Sequence, residues 1–108
     1  MAIKYDEYLL LELFCSEPII IDADAEIYSY RIKDKIGFEL TLYFSVYDQF
    51  ATARLEYKGK DRPIFEVELN NVQEIKADKE KLSFFRQDTN EPVFQIMILP
   101  SFMLDLNL

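Results

Sequence analysis

From Phe38 to Tyr47 the sequence alternates without a break. Phe38, Leu40, Leu42, Phe44 and Val46 take one side, and Glu39, Thr41, Tyr43, Ser45 and Tyr47 the other. Successive side chains of a strand point to opposite faces, so a period of two specifies a strand with one buried and one exposed face. Such a strand needs partners, and the segments that follow supply them.

Residues 51–57 alternate in the same way, with Ala51, Ala53, Leu55 and Tyr57 inward and Thr52, Arg54 and Glu56 outward. A turn at Asp48-Gln49 sets Val46 opposite Ala51, Phe44 opposite Ala53, Leu42 opposite Leu55 and Leu40 opposite Tyr57. Tyr43 then faces Arg54, and Glu39 meets Lys58. A slip of one residue would send every apolar side chain to the polar face. A third strand from Ile64 to Leu69 starts after Pro63, where a missing N–H is tolerated. It sets Phe65, Val67 and Leu69 opposite Leu55, Ala53 and Ala51, with Glu66 beside Arg54. The expected result is a meander over residues 38–69 whose outer face carries a Tyr43–Arg54–Glu66 ladder.

Asn70-Asn71 reads as a break, since asparagine tolerates left-handed backbone. A second hairpin pairs Ile75 and Ala77 with Phe84 and Leu82 across the loop Asp78-Lys79-Glu80-Lys81. After the loop from Gln87 to Pro92, the strand Val93 to Leu99 is apolar on both faces and is expected to be the most buried, flanked on both sides. Phe102, Leu104, Leu106 and Leu108 alternate in a short final strand. Asp105 is the only charge there, so that edge is a candidate for pairing two copies into a homodimer.

The first third is less regular. Ile19-Ile20-Ile21 follows Pro18 and starts a strand, and Tyr28, Tyr30 and Ile32 make another. Asp22-Ala23-Asp24 between them is a turn or a bulge. Residues 4–15 are rich in leucine and glutamate, which favour helix, although Lys4, Asp6, Glu7 and Glu12 spread around the wheel. The expected fold is mainly β (α+β): an antiparallel meander or barrel-like sheet of about seven or eight strands with an N-terminal helix, in a single domain over residues 1–108.

Composition limits the function classes. Half of the 108 residues are hydrophobic and 15% are aromatic, which excludes a disordered chain. Cys15 is the only cysteine, so no disulfide framework exists and a reducing, cytoplasmic setting is expected. Asp6 and Glu7 precede the first apolar run where a signal peptide would carry positive charge, and no run is long enough to span a bilayer. Twelve basic against 20 acidic residues give a net charge of −8. That opposes binding to nucleic-acid phosphates and to anionic membranes, and suits a cationic protein partner. The acids gather at the ends: residues 1–30 hold seven against one base.

Catalytic residue types are sparse. There is no histidine, so a Ser–His or Cys–His nucleophile is excluded within this chain. Cys15 follows Leu13-Phe14 and reads as core packing. Asp22, Asp24 and Glu26 would share a face if extended, but they lack the glycine and terminal glutamate of a calcium loop. Glu66 and Glu68 also share a face, where Arg54 neutralises the first. Neither Gly37 nor Gly59 lies in a phosphate-cradling pattern. Neither metal nor cofactor is expected.

Tyrosine and arginine are enriched at binding interfaces, and Tyr43, Tyr47, Arg54 and Glu66 fall on the polar side of the best-defined strands. The sequence therefore reads as a small non-enzymatic interaction protein that uses this acidic, tyrosine-bearing face. In size and charge it is similar to bacterial immunity proteins and inhibitors, a resemblance of build that no motif carries. The alternatives are a barrel-like binder of an apolar small molecule, its cavity lined by inward aromatics, and an enzyme built on two facing carboxylates.

Overall fold

The computed structural model describes residues 2–98 and the backbone of a strand at Met103–Leu106. Its strands form two five-stranded sheets. One is a meander of β2 (Ile19–Asp22), β3 (Ile27–Lys33), β4 (Phe38–Ser45), β5 (Phe50–Tyr57) and β6 (Phe65–Leu69), in that order. The other runs β1 (Lys4–Tyr5), β7 (Val72–Ala77), β8 (Lys81–Arg86), β9 (Phe94–Met97) and β10 (Met103–Leu106). All neighbours are antiparallel except β1 and β7, which run parallel. The chain is thus mainly β with one short helix, α1 (Glu7–Phe14).

Each sheet turns one apolar face into a shared core. Leu40, Leu42, Phe44, Ala51 and Ala53 of the meander belong to the same buried cluster as Val72, Ile75, Leu82, Phe84, Phe94 and Ile96 of the second sheet. The helix joins them through Leu10, Leu13 and Phe14, an i, i+3, i+4 stripe. Asp6 caps its start, accepting from the N–H groups of Tyr8 and Leu9 at 2.9 and 3.1 Å. Cys15 ends it in the left-handed conformation, φ 56°. That position turns the thiol to solvent, so Cys15 is exposed and not the core residue expected from its apolar neighbours.

The β5–β6 and β7–β8 pairings match the sequence reading, with Arg54 opposite Glu66 and Ile75 opposite Phe84. The β4–β5 pairing is shifted by two residues. Phe44 faces Ala51, Leu42 faces Ala53, Leu40 faces Leu55, and Tyr43 faces Thr52 in place of Arg54. A slip of two returns every side chain to its own face, so alternation cannot distinguish the two registers. The loop decides between them. Residues 46–49 all lie outside the paired strands, with Asp48 accepting the Ser45 hydroxyl at 3.0 Å and Gln49 left-handed at φ 55°. Val46 N–H donates to the Glu26 carbonyl at 3.0 Å, which holds the loop against the β2–β3 turn. Glu39 consequently faces Glu56 and not Lys58, and its cation is Lys33 on β3 at 3.7 Å.

Two other expectations change. β9 lies between β8 and β10 and buries Phe94 and Ile96, but Gln95 and Met97 stay half-buried because only one face of its sheet meets the core. The proposed pairing edge falls on β10, with Phe102 and Leu108 outside the described residues. At the break after β6, Asn71 is left-handed (φ 57°) and the chain crosses from one sheet to the other. Val72 N–H donates to the Gln49 carbonyl at 2.8 Å, fastening the crossing to the β4–β5 loop.

The β3–β4 turn depends on a carboxylate. Asp34 accepts from the N–H groups of Ile36, Gly37 and Phe38 at 2.9, 2.8 and 2.8 Å. Desolvation pushes its pKa up, but those three donors together outweigh it and hold the carboxyl below its ordinary value. A group with a depressed folded pKa stabilises fully above its unfolded pKa and loses that contribution as pH falls through the folded one. Asp34→Ala should therefore be less stable than the parent protein at neutral pH, with the difference shrinking in acid. Urea denaturation across pH checks this, and a difference independent of pH would contradict it.

Candidate functional site

The outer face of the meander is organised in cross-strand rows. Arg31, Thr41, Arg54 and Glu66 form one; Ser29, Tyr43, Thr52 and Glu68 form the next. Arg54 and Glu66 come together as expected, Nε to carboxylate oxygen at 2.8 Å. The pair is partly exposed, so it contributes at most about 1 kcal/mol. Tyr43 lies one row away, beside Thr52, so the expected Tyr43–Arg54–Glu66 ladder is in fact a Thr41–Arg54–Glu66 row. Arg31, Lys33 and Arg54 offset the glutamates of this face, leaving it close to balanced.

Tyr47 is elsewhere. It sits in the β4–β5 loop, 58% exposed, beside Glu26 of the β2–β3 turn. Hydrogen bonding to Glu26, then the charge of that carboxylate, raises the Tyr47 pKa above its ordinary value. The same end of the molecule gathers further tyrosines. Tyr5 lies 6.4 Å from Tyr28 and 5.1 Å from Phe44, ring centre to ring centre. Burial raises the Tyr5 pKa, and Tyr28, Glu26 and Glu7 add to the effect. Tyr30 is pushed up to about 12, by burial first and then by Glu7. At Tyr5 and Tyr30 burial is the main influence against the phenolate, and at Tyr47 it is the Glu26 carboxylate.

Further acids lie on two elements that neighbour β3. α1 packs on the inner face of β3, with Phe14 and Tyr30 ring centres 5.4 Å apart, and β2 lies along the edge of the same strand. Ser16 Oγ donates to the Arg31 carbonyl at 3.4 Å, so the connection from α1 to β2 also follows β3. Glu7, Glu12, Glu17, Asp22 and Asp24 are therefore exposed on neighbouring elements, together with the apolar Tyr8, Leu9, Ile19, Ile20 and Ile21. None of these residues was among the expected site. The excess of acids in residues 1–30 is the sequence signal for it, but a charge count does not show that helix and strand both neighbour β3.

The carboxylates Asp22, Asp24 and Glu26 do not form a common face. Asp22 ends β2 and accepts from the N–H groups of Asp24 and Ala25, both at 3.0 Å, while Asp24 and Glu26 lie in the turn that follows, Glu26 left-handed at φ 52°. Among the described residues no group of three or more His, Cys, Asp or Glu side chains is placed to hold a metal ion. No described helix is long and apolar enough to cross a membrane.

No family model matches the sequence, and no curated protein matches it. Among solved structures, the chain is similar to a chain of the contact-dependent growth inhibition toxin–immunity protein complex from Klebsiella pneumoniae 342. The TM-score is 0.77 and the identity 22%, over 97% of this chain and 96% of that one. The likeness is one of fold, and it extends across both sheets.

The acidic end makes a titration prediction. Glu26→Gln removes the charge that disfavours the Tyr47 phenolate, so the Tyr47 pKa should fall towards its ordinary value while Tyr30, raised mainly by burial, stays high. A pH titration followed by NMR at the tyrosine rings resolves the two groups. An unchanged Tyr47 would show that Glu26 does not control it.

Proposed function

We propose that this chain is an immunity-type inhibitor. It binds a cationic toxin protein and blocks it non-covalently, without catalysis of its own and in the cytoplasm. The observation that carries this reading is the joining of an acidic and apolar side, built from α1, β2 and the β2–β3 turn, to a fold shared with a chain of a toxin–immunity complex. Of the two roles in such a complex, the inhibitor suits a chain with net charge −8 and no histidine. Complementary charge speeds encounter and selects the partner, while exposed apolar groups contribute to lasting contact.

Tyr47 belongs to this surface through Glu26. Tyr43, Arg54 and Glu66 lie on the outer face of the meander and would extend the contact only if the partner reaches around the β2 edge. The packing of the inward aromatics favours this reading over an apolar small-molecule binder. Phe44 is in ring contact with Tyr5, Tyr28 and Tyr30, and Phe84 with Phe94, so these rings cover one another.

The test begins with tagged protein recovered from its native cells at low salt, followed by expression of the captured partner alone and together with this chain. The expected partner is basic, stops growth when expressed alone, and is neutralised by co-expression. Glu7→Lys combined with Asp24→Lys should slow association by about tenfold at low salt and less at high salt. A growth-neutral partner, or association indifferent to both salt and charge reversal, would overturn the reading.

A further inference from the structure

We infer that β2 is a pairing edge, and that an extended, cationic segment of the protein partner adds to the meander beside it as a further strand. The inference rests on the inhibitor reading and names where and how that partner docks.

The two sheets end in four edge strands, β1, β2, β6 and β10. Proteins protect such edges by keeping them short or by placing charges along them. β1 has two residues, β6 exposes Glu66 and Glu68, and the β10 sequence includes Asp105. β2 is different. Ile19, Ile20 and Ile21 follow one another with no charge among them, and they are 52%, 60% and 53% exposed. Three β-branched residues at such exposure on a strand with one neighbour make a template for another strand.

The two faces of that edge are both apolar. Ile19 pairs with Ser29 and so lies on the outer face, while Ile20 pairs with Tyr28 and lies on the core side. An added strand would find an isoleucine on each side, with Tyr28 and Phe44 continuing the inner row. The pairing shifts between Ile20 and Asp22, so the apolar edge ends where the acidic turn begins.

Charge selects the occupant. Glu17 precedes β2, Asp22 ends it and Asp24 follows, all exposed. A second copy would bring the same acids and a net charge of −8 to the same place, and would be repelled. A strand in which lysine or arginine alternates with apolar residues satisfies both the carboxylates and the isoleucines. Main-chain hydrogen bonds to the open edge would then hold it in register.

The probe is a synthetic peptide of alternating lysine and valine, with an alternating glutamate–valine peptide of equal length as control, titrated into the isotope-labelled full chain. The lysine peptide should give saturable NMR shift changes centred on residues 17–29, with slowed amide exchange in β2, and the glutamate peptide should not. Ile19→Lys with Ile21→Lys alters only exposed side chains, and its retained fold is checked by thermal melting. The double variant should bind the lysine peptide at least about tenfold more weakly. No saturable shift, equal response to both peptides, shifts centred on Tyr43 and Arg54, or undiminished affinity in the double variant would each overturn the inference. The two readings fail separately: a neutralised basic toxin with no response at β2 removes only the docking edge. A β2 response without such a toxin removes only the inhibitor.

Discussion

The ring of Phe44 has no exposed surface and meets three tyrosine rings, Tyr5 at 5.1 Å, Tyr28 at 5.8 Å and Tyr30 at 6.2 Å. Tyr5 comes from one sheet and the other rings from the second, so the layers are joined by an edge-to-face ring contact as well as by the chain crossing at Asn70-Asn71. A fully buried phenylalanine is worth about 3–5 kcal/mol when truncated, against at most about 1 kcal/mol for an exposed ion pair such as Arg54–Glu66. The core therefore sets the relation of the sheets, and the surface charges are left for other purposes.

That division explains the acidic side. The aromatic cluster seats α1 through Phe14 on Tyr30, and β2 is carried on the edge of the strand that bears Tyr30. Carboxylates from the helix, the edge strand and the turn then accumulate where the core has placed those elements. Burial first, and then nearby carboxylates, raise the pKa values of Tyr5 and Tyr30, while at Tyr47 the hydrogen bond to Glu26 comes first. The accumulated carboxylates disfavour any further anion and favour a cation. The exposed isoleucines of β2 lie between Glu17 and Asp22, so apolar and acidic groups adjoin there.

Several particular features are legible in the sequence. The faces of β4, β5 and β6 follow from alternation, the β5–β6 register agrees with setting Glu66 beside Arg54, and the β7–β8 register follows from the short loop that joins those strands. The β4–β5 register was not, because a shift of two residues preserves both faces and the choice belongs to a four-residue loop held by Glu26 from another part of the chain. Cys15 was misplaced for a related reason: its neighbours are apolar, but the helix ends on it and turns it outward. Arg54 and Glu66 were correctly paired, while Tyr43 and Tyr47 were expected together and lie in different surroundings.

By itself the sequence determined what each segment would bury, since the period of the apolar residues is a local property that pleat and helix geometry translate directly into a face. It also determined the net charge of −8 and the absence of histidine. Only the tertiary structure decided how the faces were shared: two sheets around one core, β1 set parallel to β7, and α1 packed against β3 and β7. Those relations depend on contacts between residues distant in the chain, such as Tyr5 with Phe44 and Glu26 with Val46. No local pattern encodes them, and they bring acids from separate segments onto elements that neighbour β3.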